Sequence, residues 1–315
     1  MTIAGVSLAI TLAMIMFSIS EGIRVSTDEI IEESGIDILV MPKGSDIFIG
    51  TGEFSDSRDL AHRINSSNQQ IKGAYPYLRE RIYISANTTD SEDGIPKITS
   101  ILAKGGTREV SEVFGLAKVI EGDYLPTKGD PFYEGGDFIK GPDSINFTRE
   151  ILVNSILAEY LEVGLEDNVY ISTELPAAAE NYTQWIENTT QFFIKGIMTQ
   201  SFEDEGEMSA TLHLSELQYV TNKLQNDSAD TIVIDLYNPS DAEEVKHWLE
   251  NDFESANEIS ALTQQDVREE IERFTSTYRG FSEMVAGITI LVALLFISTV
   301  IMISVKERTG ELSAL

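Results

Sequence analysis

The fold class depends on two consecutive segments, Thr231-Ile-Val-Ile-Asp-Leu-Tyr237 and Ser240-Asp-Ala-Glu-Glu-Val-Lys-His-Trp-Leu249. The first is a short β-branched run, which favours a buried strand. The second has an amphipathic pattern and begins with Ser240 three positions before Glu243, the spacing of a capping box. A strand that leads directly into an amphipathic helix predicts half of a split βαβ unit.

On both sides of this segment, β-branched runs alternate with helical stretches, the pattern of an α+β or α/β domain. We expect the other half of the split unit near Asp37 to Ala86, with residues 105–228 inserted as a second subdomain. Ser215 with Gln218 is a further capping-box pair. Strands are predicted at Asp37–Met41, Lys72–Tyr77, Arg81–Ala86, Thr99–Lys104, Ile151–Asn154, Gln191–Met198, Ala210–Leu214 and Thr231–Tyr237. Helices are predicted at Ser57–Ser66, Ser155–Tyr160, Ser215–Leu224 and Ser240–Asn251.

Two uncharged stretches predict membrane crossings, one near each end of the sequence. They run from Thr2 to Ser20 and from Met284 to Val305, and each is long enough to cross a hydrocarbon core of about 30 Å as a helix. The first stretch lacks the basic start and the cleavage site of a signal peptide. It also carries small residues at four-residue spacing, which favour close helix packing in membranes: Gly5, Ala9 and Ala13.

The flank of the second stretch predicts the orientation of the chain. Lys306 and Arg308 follow directly after it, which indicates a cytoplasmic side under the positive-inside rule. We therefore expect a cell-membrane protein with both termini cytoplasmic and the domain between the two crossings outside. That domain contains six candidate Asn-x-Ser/Thr glycosylation acceptors, at Asn65, Asn87, Asn146, Asn181, Asn188 and Asn226.

Apolar residues before the second stretch form a heptad-like series that continues into it without interruption. Steps of four and three residues alternate from Val267 to Leu295, so one helix is predicted to rise from the membrane as a stalk. The first stretch continues one apolar face as far as Gly35, which predicts a second stalk. The simpler interpretation is that these helices only tether the domain. The predicted stalk residues outside the membrane are Val267, Ile271, Phe274, Tyr278 and Phe281.

Composition excludes several classes of function. The sequence has 52 acidic and 22 basic residues, a net charge of -30 and no basic run, so nucleic-acid binding is excluded. It has no cysteine and therefore no disulfides. No P-loop, zinc motif or nucleophile elbow occurs, and His62, His213 and His247 are scattered. The acids at 203–207 lack the spacing of an EF-hand. We expect no enzyme activity, metal site or cofactor.

The last residues, Val305-Lys-Glu-Arg-Thr-Gly-Glu-Leu-Ser-Ala-Leu315, resemble the segment after the second span in the MacB/FtsX/Lol-type permeases of ABC transporters. In that family a Glu-Arg-Thr-x-Glu-Ile-like run begins a cytoplasmic coupling helix. Weaker similarity to the family's extracytoplasmic core covers most of the chain. It includes Gly35–Met41, Glu121–Tyr124, Glu150–Asn154, Leu157–Leu161 and Phe193–Ile197.

The resemblance implies an α+β ectodomain between two long transmembrane stalk helices. Its parts would be a split βαβ Porter-like subdomain and an inserted β-rich subdomain. The implied boundaries are 1–34 for the first span and stalk, 35–104 with 229–262 for the Porter-like part, 105–228 for the insertion, 263–305 for the second stalk and span, and 306–315 for the coupling helix.

The resemblance also implies a permease that passes ATP-driven motion outward, for export or extraction of peptides, lipoproteins or other large substrates. ATP would be bound by a separate cytoplasmic ATPase, and a second permease copy or paralogue and the lipid membrane would complete the assembly. Because the family has four spans, we expect this sequence to lack spans three and four. The residues implied to contact the ATPase are Lys306, Glu307, Arg308, Thr309 and Glu311.

Two other functions are compatible with two spans around an ectodomain. A two-span membrane receptor would bind a ligand outside and signal from a region that begins near Lys306. A membrane-anchored hydrolase is disfavoured because the search for catalytic motifs found none.

Overall fold

The computed structural model describes residues 36–45, 52–86, 97–106, 118–125, 149–175, 189–199 and 207–312, with residues 11, 14, 15, 18, 110, 133, 134, 137 and 138. The chain divides into two units, one from Glu32 to Gln264 and one formed by Met1–Ile31 with Gln265–Leu315. The first unit contains an α+β domain, and the described part of the second is helical.

The strands in the described residues are β1 (Ile38–Pro42), β2 (Ile71–Ala86), β3 (Ile98–Gly106), β4 (Val119–Gly122), β5 (Tyr133–Glu134), β6 (Asp137–Phe138), β7 (Glu150–Asn154), β8 (Asn168–Ser172), β9 (Thr190–Met198), β10 (Ser209–His213), β11 (Thr231–Leu236) and β12 (Ile259–Thr263). The helices are α1 (Ser57–Ser67), α2 (Ser155–Leu161), α3 (Leu214–Val220), α4 (Ala242–Asn251) and α5 (Gln264–Leu312).

Four strands form the first lobe, in the order β12-β1-β11-β2. All three neighbouring pairs are antiparallel, so β1 and β2 are parallel on either side of β11, while β11 and β12 are parallel on either side of β1. Helix α1 connects β1 to β2, and α4 connects β11 to β12. Each connection is a split βαβ unit. We call this part, with α1 and α4, the four-stranded lobe; its core includes Ile38, Ile64, Ile232, Val245 and Leu249.

The second lobe is a closed sheet of six strands. Its ring runs β2-β3-β10-β7-β9-β8 and closes because β8 pairs with both β9 and β2. We call it, with α2 and α3, the six-stranded lobe. Its interior is filled by apolar side chains, and each large one stabilises the fold by about 1.5–3 kcal/mol. They include Ile82, Ile101, Ile151, Leu157, Val169, Phe192, Leu212 and Leu217.

Strand β2 belongs to both lobes. The sequence predicts two strands, Lys72–Tyr77 and Arg81–Ala86, but the structure has one strand of 16 residues. Residues up to Tyr77 pair with β11, and residues from Leu78 onward pair with β3. The prediction of a break is wrong because the polar residues 79–81 retain strand pairing on the β3 side. One strand therefore connects the two lobes directly.

Both predicted capping boxes are wrong. Helix α4 begins at Ala242 after a short 3-10 turn, and Asn238 caps that turn by accepting a hydrogen bond from the Ser240 backbone. Glu243 instead accepts a hydrogen bond from Thr263 Oγ1 at 3.1 Å. In α3, Ser215 lies within the first turn, and among the described residues its buried hydroxyl has no hydrogen-bond partner.

Five of the strands in the described residues were not predicted, namely β4, β5, β6, β8 and β12. Strand β12 has the sequence Ile-Ser-Ala-Leu-Thr, and its residues alternate between buried and half-buried positions. That alternation is the ordinary signal of a strand at the edge of a sheet. Strand β8 has a similar alternation, with Val169 and Ile171 buried in the closed sheet.

Helix α5 is continuous over 49 residues, from Gln264 to Leu312. Many of its large apolar side chains from Met284 onward are exposed on this single chain, including Leu291, Leu295, Ile301 and Val305. Counted over described residues alone, no helix is both long and apolar enough to cross a membrane.

Candidate functional site

The first candidate site is the root of the second predicted stalk, where α5 begins directly after β12. Strand β12 pairs antiparallel with β1, and its last residue, Thr263, lies opposite Ile38, the first residue of β1. The chain segment that follows the first predicted stalk therefore enters the domain beside the segment that leaves it for α5. Both connections therefore join the same end of one strand pair.

Side chains reinforce this root. The Gln264 amide donates a hydrogen bond to the carbonyl of Ile36 at 2.6 Å, which connects the two chain segments directly. Asp37 is almost fully buried and accepts a hydrogen bond from the Leu236 backbone at 2.7 Å. Burial raises the pKa of the Asp37 carboxyl, the hydrogen bond from Leu236 acts in the opposite direction, and the nearby carboxylate of Asp235 adds to the increase.

The second candidate site lies where the two lobes meet, and its centre is Asp227. In the described structure the N-cap residue of α1, Asp56, provides no side-chain hydrogen bond to that helix. Asp227 takes over this role from 169 residues away: its Oδ2 accepts a hydrogen bond from the Arg58 backbone at 2.8 Å. A carboxylate at a helix N-terminus satisfies a free amide and is favoured by the helix dipole.

The Asp227 carboxylate also contacts both lobes through side chains. Its Oδ1 pairs with the Arg58 guanidinium of α1 and accepts a hydrogen bond from the Gln218 amide of α3 at 3.0 Å. The Gln218 carbonyl oxygen in turn accepts from Arg58 at 3.1 Å. Gln218 is fully buried, and its amide also donates to the Ser228 carbonyl at 2.7 Å. The three side chains form a closed triangle of hydrogen bonds.

Two further groups of charges surround this triangle. The Lys223 ammonium pairs with Glu53 beside the four-stranded lobe and with Glu80 on β2. Burial lowers the pKa of Lys223, but its hydrogen bonds to Glu53 and Glu80 outweigh burial, and the pKa is raised overall. Arg79 on β2 pairs with Asp230 at 3.0 Å, just before β11. We call Glu53, Arg58, Arg79, Glu80, Gln218, Lys223, Asp227 and Asp230 the interlobe clasp.

The interlobe clasp can hold two bodies together, but it has no arrangement for catalysis. Its cations are matched by carboxylates, and it places no nucleophile beside a general base. Within the described ranges, no group of three or more His, Asp or Glu side chains could hold a metal ion.

The predicted coupling and stalk residues all lie on α5. In the coupling segment the side chains of Lys306 and Thr309 are exposed, and Thr309 Oγ1 donates to the Val305 carbonyl. For Glu307, Arg308 and Glu311 the structure describes only a helical backbone. In the stalk, Val267 is half-buried. The other stalk residues are described only as helical backbone: Ile271, Phe274, Tyr278 and Phe281.

Other predicted site residues lie mostly outside the described residues. These are the small residues Gly5, Ala9 and Ala13 and the glycosylation candidates Asn87, Asn146, Asn181 and Asn188. Of the remaining glycosylation candidates, Asn65 is exposed on α1, and Asn226 is exposed in a turn whose Ser228 is buried.

Sequence reasoning missed the interlobe clasp. Gln218 stood out only as half of a capping box. Asp227 and Lys223 have no local signal because their charged partners, Arg58, Glu53 and Glu80, are 143 to 170 residues away. The one usable hint is that Asp227 follows a short turn and has a positive φ of 43°. Aspartate tolerates that conformation better than most residues.

Comparison with known proteins identifies the family. No curated protein matches this chain. Among solved structures it is similar to the extracellular domain of the noncanonic ABC-type transporter YknZ from Gram-positive bacteria, with 10% identity, a TM-score of 0.45 and coverage of 72% of this chain and 99% of that one. It is also similar to the periplasmic region of MacB from Actinobacillus actinomycetemcomitans, with 13% identity, a TM-score of 0.47 and coverage of 77% and 95%.

The family model described as the MacB-like periplasmic core domain matches residues 1–252, which is well over half of the sequence. The match includes the four-stranded lobe as far as α4 and the whole six-stranded lobe. This chain therefore belongs to the MacB-like periplasmic core domain family and carries the ectodomain of an ABC transporter permease.

Proposed function

We propose that this chain is a permease subunit that transmits ATP-driven motion from a cytoplasmic ATPase to its extracytoplasmic domain. The observation that supports the proposal most is α5, which continues without a break from the end of β12 to the predicted coupling segment. A helix of 49 residues is about 74 Å long. A helix passes on displacement and rotation, whereas a Gly- or Ser-rich linker of the same length would absorb them.

The proposed partners follow from the exposed parts of α5. The ATPase binds ATP and contacts the segment from Lys306 to Glu311, where Lys306 and Thr309 are exposed. Exposed apolar side chains between Met284 and Val305 face lipid or the helices of a second permease copy. Two membrane crossings, with both termini cytoplasmic, are part of this proposal.

The stalk root would favour concerted motion. Two antiparallel strands that are pulled apart from the same end lose their hydrogen bonds one after another, whereas strands that move together keep all of them. The bond between Gln264 and the Ile36 carbonyl adds resistance to separation at that end. The proposal is therefore that the two stalks move the β1–β12 pair as one element.

The proposed cargo is a large substrate such as a peptide or lipoprotein, moved outside the bilayer. The packing of the six-stranded lobe supports this choice over a small solute, because the interior of its closed sheet is filled by apolar side chains. A packed apolar interior is unsuited to the passage of a polar solute.

The test uses the full chain assembled with its ATPase. The wild-type chain has no cysteine, so a spin-label pair can be attached at introduced cysteines without background labelling. One label replaces exposed Ser67 on α1 and the other replaces exposed Glu272 on α5. We expect ATP to change the distance distribution between the labels in the wild-type background.

A glutamate at Phe274 or Tyr278 places a charge in the apolar series of the stalk. We expect Phe274→Glu to retain ATP hydrolysis and to lose at least half of the ATP-dependent distance change. Ser276→Glu is the matched control, because Ser276 is an exposed position on the same helix. An undiminished distance change in Phe274→Glu, or its absence from the wild type, would contradict a transmitting stalk.

A further inference from the structure

We propose that Asp227 and Gln218 act as positioning residues that lock the six-stranded lobe to the four-stranded lobe, so that both lobes move as one body. The inference rests on the proposed function in one respect: a lock matters because the stalks join only the four-stranded lobe. It adds a specific device that carries the motion onward to the six-stranded lobe.

The need for a lock follows from the covalent connections. The lobes are joined by β2 on one side and by the segment from Thr221 to Asp230 on the other. Strand β2 changes partners between Tyr77 and Leu78, from β11 to β3. A single strand can twist and bend at such a point, since strands have a variable twist. Backbone hydrogen bonds between residues 54–57 and 226–229 hold the connecting segment against the start of α1. The rotation that side chains can restrain is therefore that of α3 and the six-stranded lobe against this segment.

Asp227 is placed to provide this restraint because it binds elements whose cores are separate. Arg58 lies on α1, which packs into the core of the four-stranded lobe through Leu60 and Ile64. Gln218 lies on α3, which packs into the core of the six-stranded lobe through Leu217. A rotation of one lobe against the other would break the contacts of Asp227 with one of them.

Burial makes these contacts effective. Gln218 is fully buried, and Asp227 is 7% exposed. Charge-assisted hydrogen bonds are shorter and stronger than neutral ones, and buried pairs are screened less by salt than exposed pairs. Breaking them would leave a buried carboxylate and a buried amide without partners, which is strongly unfavourable. The ion pairs of Lys223 and Arg79 act in the same direction around the triangle.

The test measures the rigidity between the lobes in the full chain. Spin labels at Ser67→Cys on α1 and Glu159→Cys on α2 report the distance between the lobes, and both positions are exposed. We expect a narrow distance distribution in the wild-type background and a distribution at least twice as wide in Asp227→Ala, recorded well below the melting temperature of that variant. Asp227→Asn retains an acceptor for the backbone of Arg58 and should restore an intermediate width.

Asp167→Ala is the matched control. Asp167 is an exposed aspartate that also accepts a backbone hydrogen bond, from Gly164 at 2.7 Å, but within one lobe. We expect it to leave the distribution narrow. If Asp227 only stabilised the fold, Asp227→Ala would melt at a lower temperature and keep a narrow distribution below it, and that result would overturn the lock.

A second arm separates this inference from the proposed function. These distances are measured without the ATPase, so a wild-type stalk that does not respond to ATP would leave the lock intact and refute only the transmission. With the ATPase and ATP, the distance between the labels on α1 and α2 should stay constant in the wild type, because the two lobes move together. In Asp227→Ala, ATP should change this distance because the two lobes move independently. An unchanged distance in that variant would also overturn the lock.

Discussion

The buried carboxyl group of Asp37, at the stalk root, makes the stability of the fold depend on pH. Its pKa is raised from 3.8, first by burial and despite the hydrogen bond from Leu236. An acid whose pKa is higher in the folded state than in the unfolded state binds more protons when folded, so the free energy of unfolding falls as pH rises through the interval between the two values. The ionised carboxylate of Asp37 at neutral pH therefore lowers the free energy of unfolding relative to the protonated acid.

We expect Asp37→Asn to remove this destabilisation at neutral pH. The asparagine oxygen can still accept from Leu236 but does not titrate, so the free energy of unfolding of the variant should increase relative to that of the wild type as the pH rises from acidic to neutral. Urea unfolding at a series of pH values measures the difference. Asp59→Asn is the control, because the Asp59 side chain is 65% exposed. A difference that is constant with pH would show that Asp37 titrates alike in both states.

At the scale of elements, the contact between β3 and α3 fixes where Gln218 lies. Gly105 on β3 packs closely against α3: an added Cβ would lie 3.0 Å from the Leu217 side chain and 3.3 Å from the Leu214 backbone. Overpacking of this kind costs about 1–3 kcal/mol. We expect Gly105→Ala to lower the free energy of unfolding by that amount and to displace α3, which should also broaden the distance distribution between the lobes.

Gly106→Ala tests whether this effect is steric. The added Cβ would meet Tyr77 and Val110 only at 3.4 Å, an ordinary contact, so Gly106→Ala should lower the free energy of unfolding clearly less than Gly105→Ala does. Thermal unfolding of both variants makes the comparison. Equal losses in the two variants would show that the loss in Gly105→Ala does not come from the close approach of α3.

The elements differ in how well the sequence predicts them. Strand β11 carries a continuous β-branched run and helix α4 an amphipathic pattern of period 3.6, and both form where those patterns are. The breaks and caps were predicted less well, because they depend on distant partners: β2 continues through its polar residues by pairing with β3, and α1 is capped by Asp227. The clasp had no local signal in a chain with 52 acidic residues, since most acids are simply solvated.

For the whole molecule, the net charge of -30 determines how salt acts on stability. Self-repulsion among surface carboxylates opposes the compact state, and salt reduces it because the screening length falls from about 10 Å at 0.1 M to about 3 Å at 1 M. The ion pairs of the clasp are partly buried, apart from the exposed Glu53, and should weaken less than contacts between fully exposed charges. We therefore expect the melting temperature of the full chain to rise by several degrees between 0.1 and 1 M KCl at pH 7.

The same titration at a pH near the isoelectric point of about 4.3 is the control. There the net charge is close to zero, so the rise with KCl should largely disappear. An equal rise at both pH values would indicate a general effect of salt on burial instead of charge screening. A fall at pH 7 would mean that the clasp and the other ion pairs outweigh the surface repulsion. The predicted rise would mean that concentrated salt reduces the repulsion between surface carboxylates more than it weakens the ion pairs of the clasp.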